Sequence, residues 1–119
     1  MYSIGTDIVK INRIKKLSSN KKFLNKIFTI KEIKYCFSYK DSHIHFSGKY
    51  AGKEAVKKAL LSNKTINNIG LKDIEILNKK DKSPYAIVHL LKDLKCSISI
   101  SHDGDYAIAF ALLTEWFQF

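Results

Sequence analysis

Residues 44–61 place the tightest constraint on what this chain can fold into. Gly48, Ala51, Gly52, Ala55, Val56, Ala59 and Leu60 recur there at helical spacing. The spacing predicts one long helix, from about Ile44 to Leu61. Its small residues let another backbone approach closely, so the rest of the chain is expected to pack hard against this helix.

The flanking segments supply the partners. YSIGTDIV (2–9) reads as a strand ending near Asp7, followed by a helical stretch (11–19) with Ile11, Ile14 and Leu17 on one side. Phe23, Ile27 and Phe28 continue that stripe through a second short helix. Thr29 followed by Glu32 is a capping box, opening a helix to about Phe37. Beyond the long helix, 62–72 reads as a loop, and DIEIL (73–77) and YAIV (85–88) as paired strands around a KKDKSP turn. HLLKDL (89–94) is a short helix or connection. CSISIS (96–101) alternates like a half-buried strand, and HDGD (102–105) is a turn. YAIAFALL (106–113) is apolar on both faces, as in a central or interface strand. Trp116, Phe117 and Phe119 add an apolar tail. These elements predict a single α+β domain over 1–119, a long helix packed on an antiparallel sheet.

Charge narrows the partners. The 119 residues carry 21 basic and 11 acidic side chains, for a formal charge of +10. Such a balance favours an anionic partner: nucleic acid, membrane surface, phosphorylated ligand or acidic protein. Residues 8–30 hold Lys10, Arg13, Lys15, Lys16, Lys21, Lys22 and Lys26 and no acid. That bias suits an acidic protein or a nucleic acid. Phe23 and Phe28, the aromatics among them, fit the core stripe better than base stacking. No apolar run approaches the ~18 residues of a membrane span, no basic-then-apolar leader opens the chain, and Cys36 and Cys96 lack metal or redox spacing. A reducing cytoplasm is the expected setting.

Several residues are candidates for chemistry. Asp7 at a strand end is either a cap or turn former, or a ligand. Glu54 either pairs with Lys58, four residues on, or joins Asp7 in holding a hard cation. Lys49, Lys53 and Lys57 lie four apart, as a solvated stripe or as a rail for phosphate. Ser101, His102 and Asp103 are adjacent, and neighbours on an extended chain point to opposite faces, so they are no catalytic triad. His102 beside a turn suits a hydrogen bond to an anion. GKE at 52–54 lacks the frame of a phosphate loop.

Six segments, taken in order, resemble the bacterial holo-acyl-carrier-protein synthases, the short subgroup of the 4'-phosphopantetheinyl transferases. They are IGTDIVKINRI (4–14), IFTIKEIKYC (27–36), FSGKYAGKEAVKKAL (46–60), DIEI (73–76), KSP (82–84) and SISHDGDYAIAFAL (99–112). The resemblance implies the 4'-phosphopantetheinyl transferase fold and transfer of 4'-phosphopantetheine from coenzyme A to a serine of an acyl carrier protein. It implies magnesium held by Asp7 and Glu54, and Lys58 on the phosphates of coenzyme A. Lys49, Pro84 and His102 match further coenzyme A positions. Arg13, with Lys16 near it, matches the surface that meets the acidic carrier. It also implies a homotrimer with coenzyme A between neighbours. Glu54 or a metal-bound water is the expected base, ahead of Glu32, which the capping box already explains. Four positions depart from the pattern: Lys10 replaces an acid, Lys49 stands where arginine is common, Lys82-Ser83-Pro84 lacks the glycine of a GKP turn, and Leu61 replaces a glycine. The competing reading is a small basic nucleic-acid-binding protein, which accounts for the charge and not for the six segments.

Overall fold

The structure, a computed structural model, describes residues 2–64 and 66–115; the apolar tail Trp116, Phe117 and Phe119 lies outside them. The chain opens with strand β1 (Ser3–Lys10) and three short helices, α1 (Ile11–Leu17), α2 (Lys21–Ile27) and α3 (Ile30–Phe37). The long helix α4 (Ser42–Ser62) follows, extending two residues before and one beyond its expected limits. A single turn of tighter helix (Leu71–Asp73) leads to strands β2 (Ile74–Asn78), β3 (Pro84–Val88), β4 (Lys95–Asp103) and β5 (Tyr106–Glu115). Residues 89–94 form turns rather than a helix.

The strands divide into two antiparallel sheets. One has the order β1-β5-β4, with β5 central; the other is the hairpin β2-β3. Asp103 pairs with Tyr106 across the β4–β5 turn, where Gly104 takes a left-handed φ of 58° that glycine adopts without strain. The small-residue stripe does what its composition allows. A methyl group on Gly5 of β1 would collide with the Ala55 carbonyl and come within 2.7 Å of the Ala59 nitrogen. One on Gly48 or Gly52 would press on Ile100 or Ile98 of β4. The core gathers along α4, with Ala51, Ala55, Val56, Ala59 and Leu60 meeting Ile14, Phe28, Phe46, Ile74 and Leu113.

Both arms of the capping box form: the Glu32 nitrogen donates to Thr29 Oγ1, and the Thr29 nitrogen donates to Glu32 Oε1 at 2.8 Å. Glu32 does more than cap. It is fully buried, and its carboxylate pairs with the equally buried Lys53 ammonium at 2.7 Å. This corrects the reading of Lys53 as part of an exposed stripe or phosphate rail; Lys49 is buried as well, whereas Lys57 is partly exposed. Among the described residues, strand β2 has a neighbouring strand on one edge only. On its free edge side chains stand in for a strand. Lys53 Nζ donates to the Ile74 carbonyl at 2.6 Å, Lys49 Nζ to the Ile76 carbonyl at 2.6 Å, and the Ile76 nitrogen donates to Glu32 Oε2 at 2.7 Å. Buried backbone groups need partners, and these three side chains supply them. Desolvation holds both ammonium groups below the usual lysine range.

Cys36 and Cys96 are free thiols, and burial pushes them up to about 12 and about 11 respectively. Among the described residues no helix is long and apolar enough to cross a membrane.

Candidate active site

Two groups of candidate residues form on α4. The first lies where α4 meets β1. Asp7 is drawn to the helix by the close approach at Gly5, and its Oδ1 accepts from Lys58 Nζ at 3.1 Å. Lys58 therefore pairs with Asp7, 51 positions away, and not with Glu54 four positions away. Glu54 lies one turn before Lys58, so the two share a helix face, and Asp7 meets that face at Lys58. The Asp7 side chain is 15% exposed and Lys58 56% exposed, so the ion pair is open to incoming anions. Among the described residues no group of three or more His, Cys, Asp or Glu clusters for a metal. Asp7 and Glu54 could offer two hard carboxylate groups, the donor type that suits magnesium, which keeps much of its coordination for water and phosphate.

The second group lines a cavity of about 370 Å³ that includes Lys49, Lys82, Pro84, His102, His45 and Tyr39. Lys49 sits under its floor. Two of its three ammonium protons go to the Ile76 carbonyl and Asn78 Oδ1, and the nitrogen is 4.6 Å from the Tyr35 ring centroid. Lys82 replaces the glycine of the turn pattern yet holds the left-handed φ of 72°, and Pro84 begins β3 two residues later. Tyr39 and His45 stack 3.9 Å apart at 22°. Burial, first, and then the neighbouring Lys49, His102 and Lys82 side chains hold His45 below the usual histidine range, against the opposing pull of Asp41.

The two groups face different ways. Nine residues separate Lys49 from Lys58, and at 3.6 residues per turn that is about half a rotation and ~13 Å of rise. Lys49 reaches β2, whereas Lys58 reaches β1. Arg13 and Lys16 are both exposed on α1, three residues apart. The Arg13 guanidinium carbon lies 5.7 Å from the Tyr50 ring centroid.

Sequence reasoning missed Tyr50, His45 and Tyr39. Tyr50 carried a signal, standing four residues before Glu54. The stack of Tyr39 on His45 did not, because a loop separates them before α4 begins.

Comparison with known proteins identifies the class. A family model of the 4'-phosphopantetheinyl transferase superfamily matches residues 3–111, and the chain belongs to that family. The holo-[acyl-carrier-protein] synthase of Thermodesulfovibrio yellowstonii is 43% identical over 113 residues, covering 93% of this chain and 96% of that one. The solved Helicobacter pylori holo-[acyl-carrier-protein] synthase in complex with coenzyme A is 33% identical with a TM-score of 0.77, covering 93% of this chain and 99% of that one. The corresponding Bacillus anthracis synthase, in complex with CoA (3',5'-ADP), is 29% identical with a TM-score of 0.78, covering 93% of this chain and 94% of that one.

Proposed function

We propose that this chain, acting as a single domain in the cytoplasm, transfers the 4'-phosphopantetheine arm of coenzyme A to a serine of an acidic acyl carrier protein. The observation that carries the reading is the ion pair of Asp7 on β1 with Lys58 on α4, one helix turn from Glu54, in a chain of this family. The relatives solved with coenzyme A support the ligand.

The serine oxygen attacks the β-phosphorus of coenzyme A. A new O–P bond forms, the bond to the bridging pyrophosphate oxygen breaks, and adenosine 3',5'-bisphosphate leaves with the electron pair. Lys58 neutralises charge on the phosphate oxygens as it builds, and the Glu54 carboxylate takes the serine proton. Asp7 and Glu54 would hold magnesium, which supplies further charge neutralisation at the pyrophosphate when bound. Lys49, Pro84 and His102 seat the adenosine end. Arg13 and Lys16 dock the carrier.

The two groups on opposite sides of α4 meet only if a second copy joins them. The outer face of the larger sheet favours such an assembly. Ile8 stands directly opposite Ile108, and these two with Ile4 and Phe110 are 43–60% exposed. An exposed apolar stripe of this kind calls for cover, and a closed cyclic homotrimer supplies it while bringing one copy's Asp7, Glu54 and Lys58 to the next copy's His102 and Pro84. The test is mass spectrometry of an apo carrier protein incubated with this protein, coenzyme A and magnesium. The carrier is expected to gain the phosphopantetheine mass; an unchanged carrier mass would overturn the proposal.

A further inference from the structure

The Lys49 ammonium lies beside the cavity and is covered. The residue is only 4% exposed. Its nitrogen donates to the Ile76 carbonyl and to Asn78 Oδ1, each at 2.6 Å, and stands 4.6 Å from the Tyr35 ring centroid. Lys82 is the exposed lysine of the same cavity. Its ammonium forms no ion pair or hydrogen bond with another described residue. It stands 5.9 Å from the Tyr39 ring centroid, within cation–π reach. Among the described residues no acid lines the cavity, whereas His45 and His102 do.

Both ends of Lys82 are tied back to Lys49. The Asn78 carboxamide that accepts from Lys49 donates through Nδ2 to the Lys82 carbonyl at 2.9 Å. The Lys82 nitrogen closes the turn on the Lys79 carbonyl at 2.8 Å, and Asp81 Oδ1 accepts from the Ser83 nitrogen and hydroxyl. These bonds keep Lys82 at a φ of 72°, a conformation that a residue with a side chain holds only where its surroundings impose it. At the other end, the Tyr35 ring beside Lys49 shares a hydrogen bond between hydroxyls with Tyr39 at 3.2 Å, and Tyr39 carries the Lys82 ammonium.

We propose that Lys82 is the cation this cavity presents to phosphate, and that Lys49 is a positioning residue acting on it through Asn78. This rests on the proposed reading in which the cavity seats the adenosine end of coenzyme A; the 3'-phosphate on that end is the group the ammonium meets. A lysine is a point charge on a flexible stem. The anchored turn and the Tyr39 ring restrict that stem beforehand, so less freedom is lost when phosphate binds.

The test measures, by calorimetry on the full chain, affinity for adenosine 3',5'-bisphosphate and for adenosine 5'-monophosphate, which lacks the 3'-phosphate. Lys82→Gly removes the cation and leaves a residue that takes the left-handed φ freely, so the turn survives. Wild type is expected to prefer the bisphosphate. Lys82→Gly is expected to lose about tenfold in bisphosphate affinity, the scale of one hydrogen bond to a charged group, with the monophosphate unchanged. Lys49→Met and Asn78→Ala are each expected to weaken the bisphosphate in the wild-type background and to change it little in Lys82→Gly, because both act through Lys82. Undiminished bisphosphate affinity in Lys82→Gly would overturn the proposal. So would Lys49→Met and Asn78→Ala losses that multiply with that of Lys82→Gly, or that fall equally on both nucleotides as a merely structural role requires. A wild type with no preference for the bisphosphate would remove Lys82 from the 3'-phosphate and leave the transfer assay to stand. A wild type that prefers it through Lys82 yet transfers nothing to the carrier would sink the transferase reading alone.

Discussion

Replacing Lys53 with methionine removes the cation from a site that holds a carboxylate in the core. Both side chains are fully buried. All three ammonium protons are engaged, by Glu32 Oε1 at 2.7 Å, the Ile74 carbonyl at 2.6 Å and the Leu71 carbonyl at 3.0 Å. Methionine fills similar space and pairs with none of them. Glu32 keeps the amides of Thr29 and Ile76 but loses its countercharge. Breaking a buried pair from one side costs about 3–5 kcal/mol, a large share of the ~5–15 kcal/mol that holds a domain of this kind together. At roughly 4 °C per kcal/mol for a chain of this size, the melting temperature falls by ~12–20 °C. Urea unfolding followed by circular dichroism, at fixed protein concentration because assembly adds stability, reads the loss. Lys53→Met with Glu32→Gln leaves no unpaired charge and is expected to be less damaged than Lys53→Met alone. A single variant that loses under ~1 kcal/mol would refute the argument that these side chains complete the free edge of β2.

Other consequences follow from the same geometry. Asp7→Ala is expected to abolish most transfer while leaving the melting temperature near wild type, and a chelator to do the same to the wild type; transfer by Asp7→Ala at the wild-type rate with chelator present would remove the metal from the account. Arg13→Glu and Lys16→Glu are expected to raise KM for the carrier more than KM for coenzyme A, with added salt acting in the same direction, since exposed docking charges govern encounter and are screened; equal changes in both KM values would move these residues to the cofactor site. Gly5→Ala drives a methyl group into the backbone of α4 at Ala55 and Ala59, and a loss of about 3 kcal/mol or more is expected in urea unfolding; a fully stable variant would show that β1 and α4 tolerate separation.

Much of this was legible in the sequence because local chemistry decided it. The Thr29–Glu32 capping box, the small-residue stripe of α4 and the alternation of β4 each carry their cause within a few residues. The long-range pairs do not. Lys53 reads as a surface residue because its four-residue spacing from Lys49 and Lys57 says nothing of a carboxylate 21 positions earlier or carbonyls 18 and 21 positions later. Lys58 reads as the partner of Glu54 because Asp7 is 51 positions away and reaches it only through the β1–α4 contact. The division into two sheets is likewise silent in the strand patterns, since alternation marks a buried face and not a neighbour. Asp7, Glu54, Lys58, Lys49 and His102 stand out as candidates by residue type and position, the resemblance assigns their roles and adds Pro84, and the fold separates them onto two sides of α4.

In the proposed assembly one reaction site draws on two faces of α4 from neighbouring chains. The direct measurement mixes two defective variants, Glu54→Gln and His102→Ala, dissociates and reassembles them, and weighs the carrier protein by mass spectrometry after incubation with coenzyme A and magnesium. Some clefts then take an intact Glu54 from one chain and an intact His102 from the next. The carrier is expected to gain the phosphopantetheine mass at a rate above that of either variant alone. The doubly substituted chain reassembled with wild type calibrates the effect of mixing. Mixed trimers that form and stay as inactive as the separate variants would contradict the shared site, as would full activity from a monomer.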